Sequence, residues 1–167
     1  MREILERWPR ERLAERVTAA AYGTVLVLSA VALLDADNVS SGLGWELITG
    51  VGLATWIAHL YAEAVGDHMR HGVRLDWPEI RRAMVDGLPI LLAAVPPGVV
   101  LALGRLDVLD PEVALWIAVG VGFVQLVGLG ALVGFVVSPG HISPWRYAAA
   151  TAAIGVVVVS LKLALTH

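Results

Sequence analysis

Residues 113–140 run for seven helical turns without one ionisable side chain. That single stretch limits the folds open to the chain, because about 20 mostly apolar residues suffice to cross a bilayer as a helix. Residues 17–34 and 87–104 are also uncharged, and residues 147–165 carry only Lys162, close enough to the end to snorkel. A fifth candidate, WELITGVGLATWIAHLYAEAVG at 45–66, is long and apolar but contains Glu46, His59 and Glu63. With 57% of its residues hydrophobic and 16% charged, the chain has more apolar surface than one aqueous core could hide. Lipid is the expected solvent. The lack of cysteine excludes disulfides, thiol catalysis and thiolate metal sites, and a net charge of −3 gives no reason to expect nucleic acid.

The basic residues sort by alternate connections. Arg2, Arg7, Arg10, Arg12 and Arg16 precede the first span, Arg70, Arg74, Arg81 and Arg82 follow the second, and Arg146 follows the fourth. The other side has only Arg105 and Lys162. Because basic residues mark the cytoplasmic side, the expected fold is all-α, a polytopic transmembrane bundle of five helices with its N-terminus cytoplasmic and its C-terminus outside. The spans fall at about 17–34, 45–66, 86–104, 113–137 and 147–165, in one membrane domain over 1–167. Dropping 45–66 would put the two basic clusters on opposite faces. Trp8, Trp77 and Trp145 then lie at inner boundaries and Trp45 and Trp116 at outer ones, as an interfacial belt requires. Trp56 is the exception, in mid-span. AVA at 30–32 resembles a signal-peptide cleavage site, but the apolar run is too long and its leader too rich in glutamate.

Turn chemistry marks the connections. Asp110 with Pro111, and Asp76 with Pro78, are helix-start signals; the second pair opens a short cytoplasmic interfacial helix at about 76–83. DADNVS at 35–40 has a superficial likeness to a calcium loop but lacks the glycine and distal glutamate, so a plain loop is expected. Pro96-Pro97 should kink the third span.

The second span poses the functional question. At 3.6 residues per turn, Trp45, Thr49, Gly52, Trp56, His59, Glu63 and Asp67 share one face, opposite Ile48, Val51, Ala58 and Ala62. An ionisable group in lipid costs about 2.5–3.5 kcal/mol on insertion scales, so the polar face is expected to point inward. Counting ~1.5 Å per residue from Trp45 puts His59 about 21 Å and Glu63 about 27 Å along the span, within the inner third and at the inner edge of the layer. Three uses of this pair stay open. It can be interhelical glue in a structural or accessory subunit. It can be a protonatable pair in a small proton or cation channel or transporter, since histidine titrates near neutrality. It can be part of a metal or haem site, although the spacing matches neither HExxH nor a di-iron repeat. His68 and His71 fall in the inner loop. Gln125, in the middle of the fourth span, is the expected cross-helix partner, and Tyr22 is grouped with the same polar pocket.

Gly130 and Gly134 form a GxxxG pair that allows close helix packing, within the chain or in a homo-oligomer. No nucleotide loop, nucleophile elbow or zinc-protease motif is present, so no cofactor is expected and no enzyme chemistry is indicated. The segments YGTVLVLS (22–29), W-x-x-H-x-Y-A (56–62) and SLKLAL (160–165) resemble a group of small integral membrane proteins of high-GC Gram-positive (actinobacterial) type. The resemblance implies a plasma-membrane location and singles out Tyr22, Trp56, His59 and Tyr61. It carries no activity. The expected partner is the lipid bilayer.

Overall fold

A computed structural model describes residues 10–71, 76–137 and 144–165. They are all-helical, with no strand among them. The helices are α1 (Arg10–Ala32), α2 (Ala36–Ser41), α3 (Leu43–His71), α4 (Trp77–Asp86), α5 (Leu88–Arg105), α6 (Pro111–Val137) and α7 (Pro144–Leu165). The expectations for Trp8, Arg2 and Arg7, and for most of the turn before Trp145, lie outside the described residues.

The helix starts follow local chemistry. Asp110 Oδ1 accepts from the N–H groups of Glu112 and Val113 at 3.0 and 3.2 Å, with Pro111 first in α6. The Asp76 N–H donates to Glu79 at 3.4 Å at the start of α4. DADNVS is not a loop. Asp35 accepts from the Asn38 N–H at 2.8 Å while the Asn38 side chain accepts from the Asp35 N–H at 3.1 Å. This reciprocal cap starts the short helix α2, and Gly42 ends it at φ 88.

Among the described residues two helical runs are, by length and composition, apolar enough to cross a membrane: Trp77–Arg105, which is α4 and α5 together, and Pro111–Gly134. Gly87 joins α4 to α5 while keeping right-handed helical angles, φ −80 and ψ −11. The helix also continues through Pro96 and Pro97. Neither proline can donate to the carbonyls of Leu92 and Ala93, so the pair removes two ladder bonds without ending the helix.

Helices α1 and α5 pack on each other in the middle of the bundle, with α3 against them on one side and α6 on the other; α7 packs on α6 and α1. Among the described residues α3 touches neither α6 nor α7. The core is aliphatic: Val27, Leu28 and Val31 of α1, Ile48 of α3, Leu101 of α5, and Leu115, Ala118 and Leu126 of α6. Glycines set the closest approaches. A Cβ on Gly23 would lie 2.9 Å from the Ile90 backbone, and one on Gly122 would lie 3.0 Å from Leu28. Gly130 of the GxxxG pair is filled by Thr151 of α7, so it serves packing within the chain.

Candidate functional site

The polar side chains collect at the ends of the bundle. At the α2 end, Arg105 Nη1 donates to the Ser41 carbonyl at 2.7 Å and its side chain covers Gly42. At the α4 end, Arg16 pairs with Asp86, with Nε and Nη2 each 3.0 Å from Oδ1. Beside it the Trp56 indole N–H donates to the Met84 carbonyl at 3.3 Å, and the ring closes over Gly87. This explains the mid-span tryptophan. It is a latch on the α4–α5 junction, not a belt residue. Between these ends the hydroxyls of Thr24, Ser29 and Thr49 each donate to a carbonyl four residues back in their own helix, at 2.8, 2.8 and 2.9 Å. They satisfy themselves locally and tie no helices together.

The inward direction of α3 differs from the sequence expectation. Ile48, placed outward by polarity, is fully buried, while Thr49, placed inward, is exposed. Trp45 is also partly exposed, with its ring edge on Gly98. Close packing decides the rotation: a Cβ on Gly52 would come within 3.1 Å of Ala94 Cβ, and one on Gly44 within 3.3 Å of Leu34. Small residues turn α3 toward α5 and α1 along the Gly44–Ile48–Gly52 line. The polar face is brought only partly inward.

His59 and Glu63 lie side by side below Trp56. Nε2 and Oε2 are 3.9 Å apart, and the side chains are 35% and 36% exposed. That separation is beyond direct hydrogen-bond length, and Glu63 Oε2 itself is buried. The other members of the expected pocket are elsewhere. Tyr22 is 54% exposed on α1. Gln125 stands on α6, which does not touch α3, so it cannot be the cross-helix partner proposed for that span. Its Oε1 is buried and accepts no hydrogen bond. The structure thus joins His59, Glu63 and Trp56, and separates them from Tyr22 and Gln125. Two residues that composition alone did not single out, Arg16 and Asp86, belong to the same end. Their signal was an arginine and an aspartate each at the inner limit of an apolar run.

As a metal site the pair is thin. His59 and Glu63 offer two ligands from adjacent turns, and among the described residues no group of three His, Asp or Glu side chains converges. No family model, curated protein or solved structure matches this chain.

Proposed function

We propose that this is a multi-pass protein of a bacterial plasma membrane, crossing it five times with the N-terminus cytoplasmic, and that it acts as a structural or accessory subunit. Large apolar side chains exposed on several helices support the membrane reading: Leu47, Leu53 and Ile57 on α3, Leu92, Val95 and Val99 on α5, Ile117 and Val124 on α6, Ile154 and Val157 on α7. A soluble monomer rarely exposes contiguous apolar patches beyond a few hundred Å². The excess of arginines near Arg16, Arg81 and Arg82 over the Arg105 end supports the orientation.

One observation carries the choice of role. Between its polar ends the bundle is filled by aliphatic side chains, with Val27, Leu28, Val31, Ile48, Leu101 and Leu126 all nearly inaccessible. Thr24, the buried polar residue of that region, has its hydroxyl spent on Ala20. Among the described residues such an interior holds helices together and offers an ion no chain of ligands beyond the single buried Gln125 amide. The second reading, proton or cation translocation, is favoured by the adjacency of His59 and Glu63. Flux measured in liposomes across pH separates the two. The expected result is no flux above protein-free vesicles. A flux that disappears in folded His59→Ala protein would overturn the accessory role in favour of translocation.

A further inference from the structure

A strip of exposed apolar residues runs without interruption from α4 into α5. Val85, Leu88, Leu92, Val95 and Val99 follow one another at intervals of three or four residues, each 41–56% exposed, so they share one helix face across Gly87. The upper part belongs to a run apolar enough to cross a membrane. Toward the start of α4 the strip changes character. Its line continues through Arg81 and Trp77, the latter 71% exposed, with Ile80 and Arg82 flanking it on either side, and α4 buries none of its residues. A helix that kept such a face in water would lose the benefit of burying it.

The charges on α4 are unequal in their commitments. Glu79 accepts from the Asp76 N–H and Asp86 pairs with Arg16. Arg81 and Arg82 are exposed, and among the described residues no carboxylate lies within ion-pair distance of either. Two uncompensated guanidinium groups therefore stand beside an indole where an apolar face ends. Guanidinium matches a phosphodiester through paired N–H donors, and indole prefers the level of lipid headgroups. We infer that α4 is a docking site for anionic phospholipid, with Arg81 and Arg82 on the headgroup phosphates, Trp77 at the same headgroup level, and Val85 and Leu88 on the adjoining acyl chains. The occupant must be a lipid, not a soluble phosphate, because the apolar strip continues from the arginines along the whole of α5.

This inference rests on the membrane reading above, and the experiment keeps the two apart. Protein is reconstituted in phosphatidylcholine bilayers and its retention after alkaline carbonate washing is measured. Its relative association with spin-labelled phosphatidylglycerol and phosphatidylcholine is then read by electron paramagnetic resonance. Wild-type protein should prefer phosphatidylglycerol, and R81Q/R82Q should lower that preference by roughly fivefold per arginine, the value expected for one basic residue at an anionic surface. R81K/R82K should retain most of it, which separates lost charge from disturbed folding. Equal association of both lipids with wild-type protein, an unchanged preference in R81Q/R82Q, or complete competition by inorganic phosphate would overturn the inference and leave the membrane reading intact. Loss of the wild-type protein in the carbonate wash would overturn both.

Discussion

The contact of Gly23 with the backbone of Ile90 gives the sharpest test of the packing. A Cβ on Gly23 would meet Ile90 Cα at 2.9 Å, its carbonyl oxygen at 3.0 Å and Cγ2 at 3.3 Å. Two of those atoms are backbone in the middle of the bundle, so they cannot swing aside as a side-chain tip would. Overpacking of this kind costs about 1–3 kcal/mol. Gly23→Ala also brings a gain, because alanine is preferred over glycine in a helix interior by roughly 0.8–1 kcal/mol. The net effect of the single variant is therefore a poor measure of the contact.

Gly50→Ala supplies the correction. Gly50 is exposed inside α3, and a Cβ there would meet nothing within 4 Å. The propensity gain is common to both variants and cancels when they are compared. Gly23→Ala should be less stable than Gly50→Ala by about 1–3 kcal/mol, a gap of roughly 2–12 °C in Tm by the scaling for chains of this size. Thermal unfolding of both proteins in the same detergent, followed by circular dichroism, measures it. Equal midpoints, or a higher one for Gly23→Ala, would refute the close α1–α5 crossing and with it the placement of both helices in the middle of the bundle.

Gln125→Leu tests the polar group left inside. Because Oε1 is buried without a hydrogen bond, replacing the amide should leave stability unchanged or raise it by about 1 kcal/mol; a loss of several kcal/mol on chemical unfolding would reveal an interhelical partner. Orientation is checked with single cysteines in intact cells, starting from a chain that has none. Asp37→Cys in α2 should react with an impermeant maleimide and Glu79→Cys in α4 should react only after permeabilisation. The opposite pattern would invert the proposed topology.

How far the sequence revealed these features depended on range. Caps at Asp110–Pro111 and Asp76–Pro78 are legible because their signal is complete within four residues. The cap of α2 is as local, yet it hides among residues that also suit a turn: Asp35 and Asn38 form a helix start only when their side chains exchange bonds with each other's backbone. The rotation of α3 was not legible. Polarity votes for Thr49 inward and Ile48 outward, whereas Gly52 of the polar face packs inward together with Gly44 and Ile48, leaving Thr49 outside. Gly52 could be seen in the sequence, but not the small residue opposite it. Grouping Gln125 with His59 failed for a related reason. Both are polar residues in apolar runs, and which runs adjoin is a fact of topology that neither spacing nor hydropathy encodes.

The lengths of α3 and α5 bear most directly on His59. Gly42 meets Arg105 at one end, and Trp56 meets Gly87 at the other. Between these levels α5 uses the residues from Gly87 to Arg105, while α3 needs only those up to Trp56. Beyond Gly87 the 29-residue α3 runs alongside α4, which continues α5 with helical angles. At ~1.5 Å per residue, His59 lies about 4–5 Å and Glu63 about 10 Å beyond the level at which α5 begins. Their one-third exposure agrees with a position past the packed core. The cost of an ionisable group in lipid applies at the centre of the layer and falls toward its edge. Both side chains lie one to two turns beyond Trp56 on α3, at the α4 end of the bundle. On the membrane reading proposed above, a histidine and a glutamate near the end of a span cost less than at its centre, so their presence does not by itself call for a transported ion.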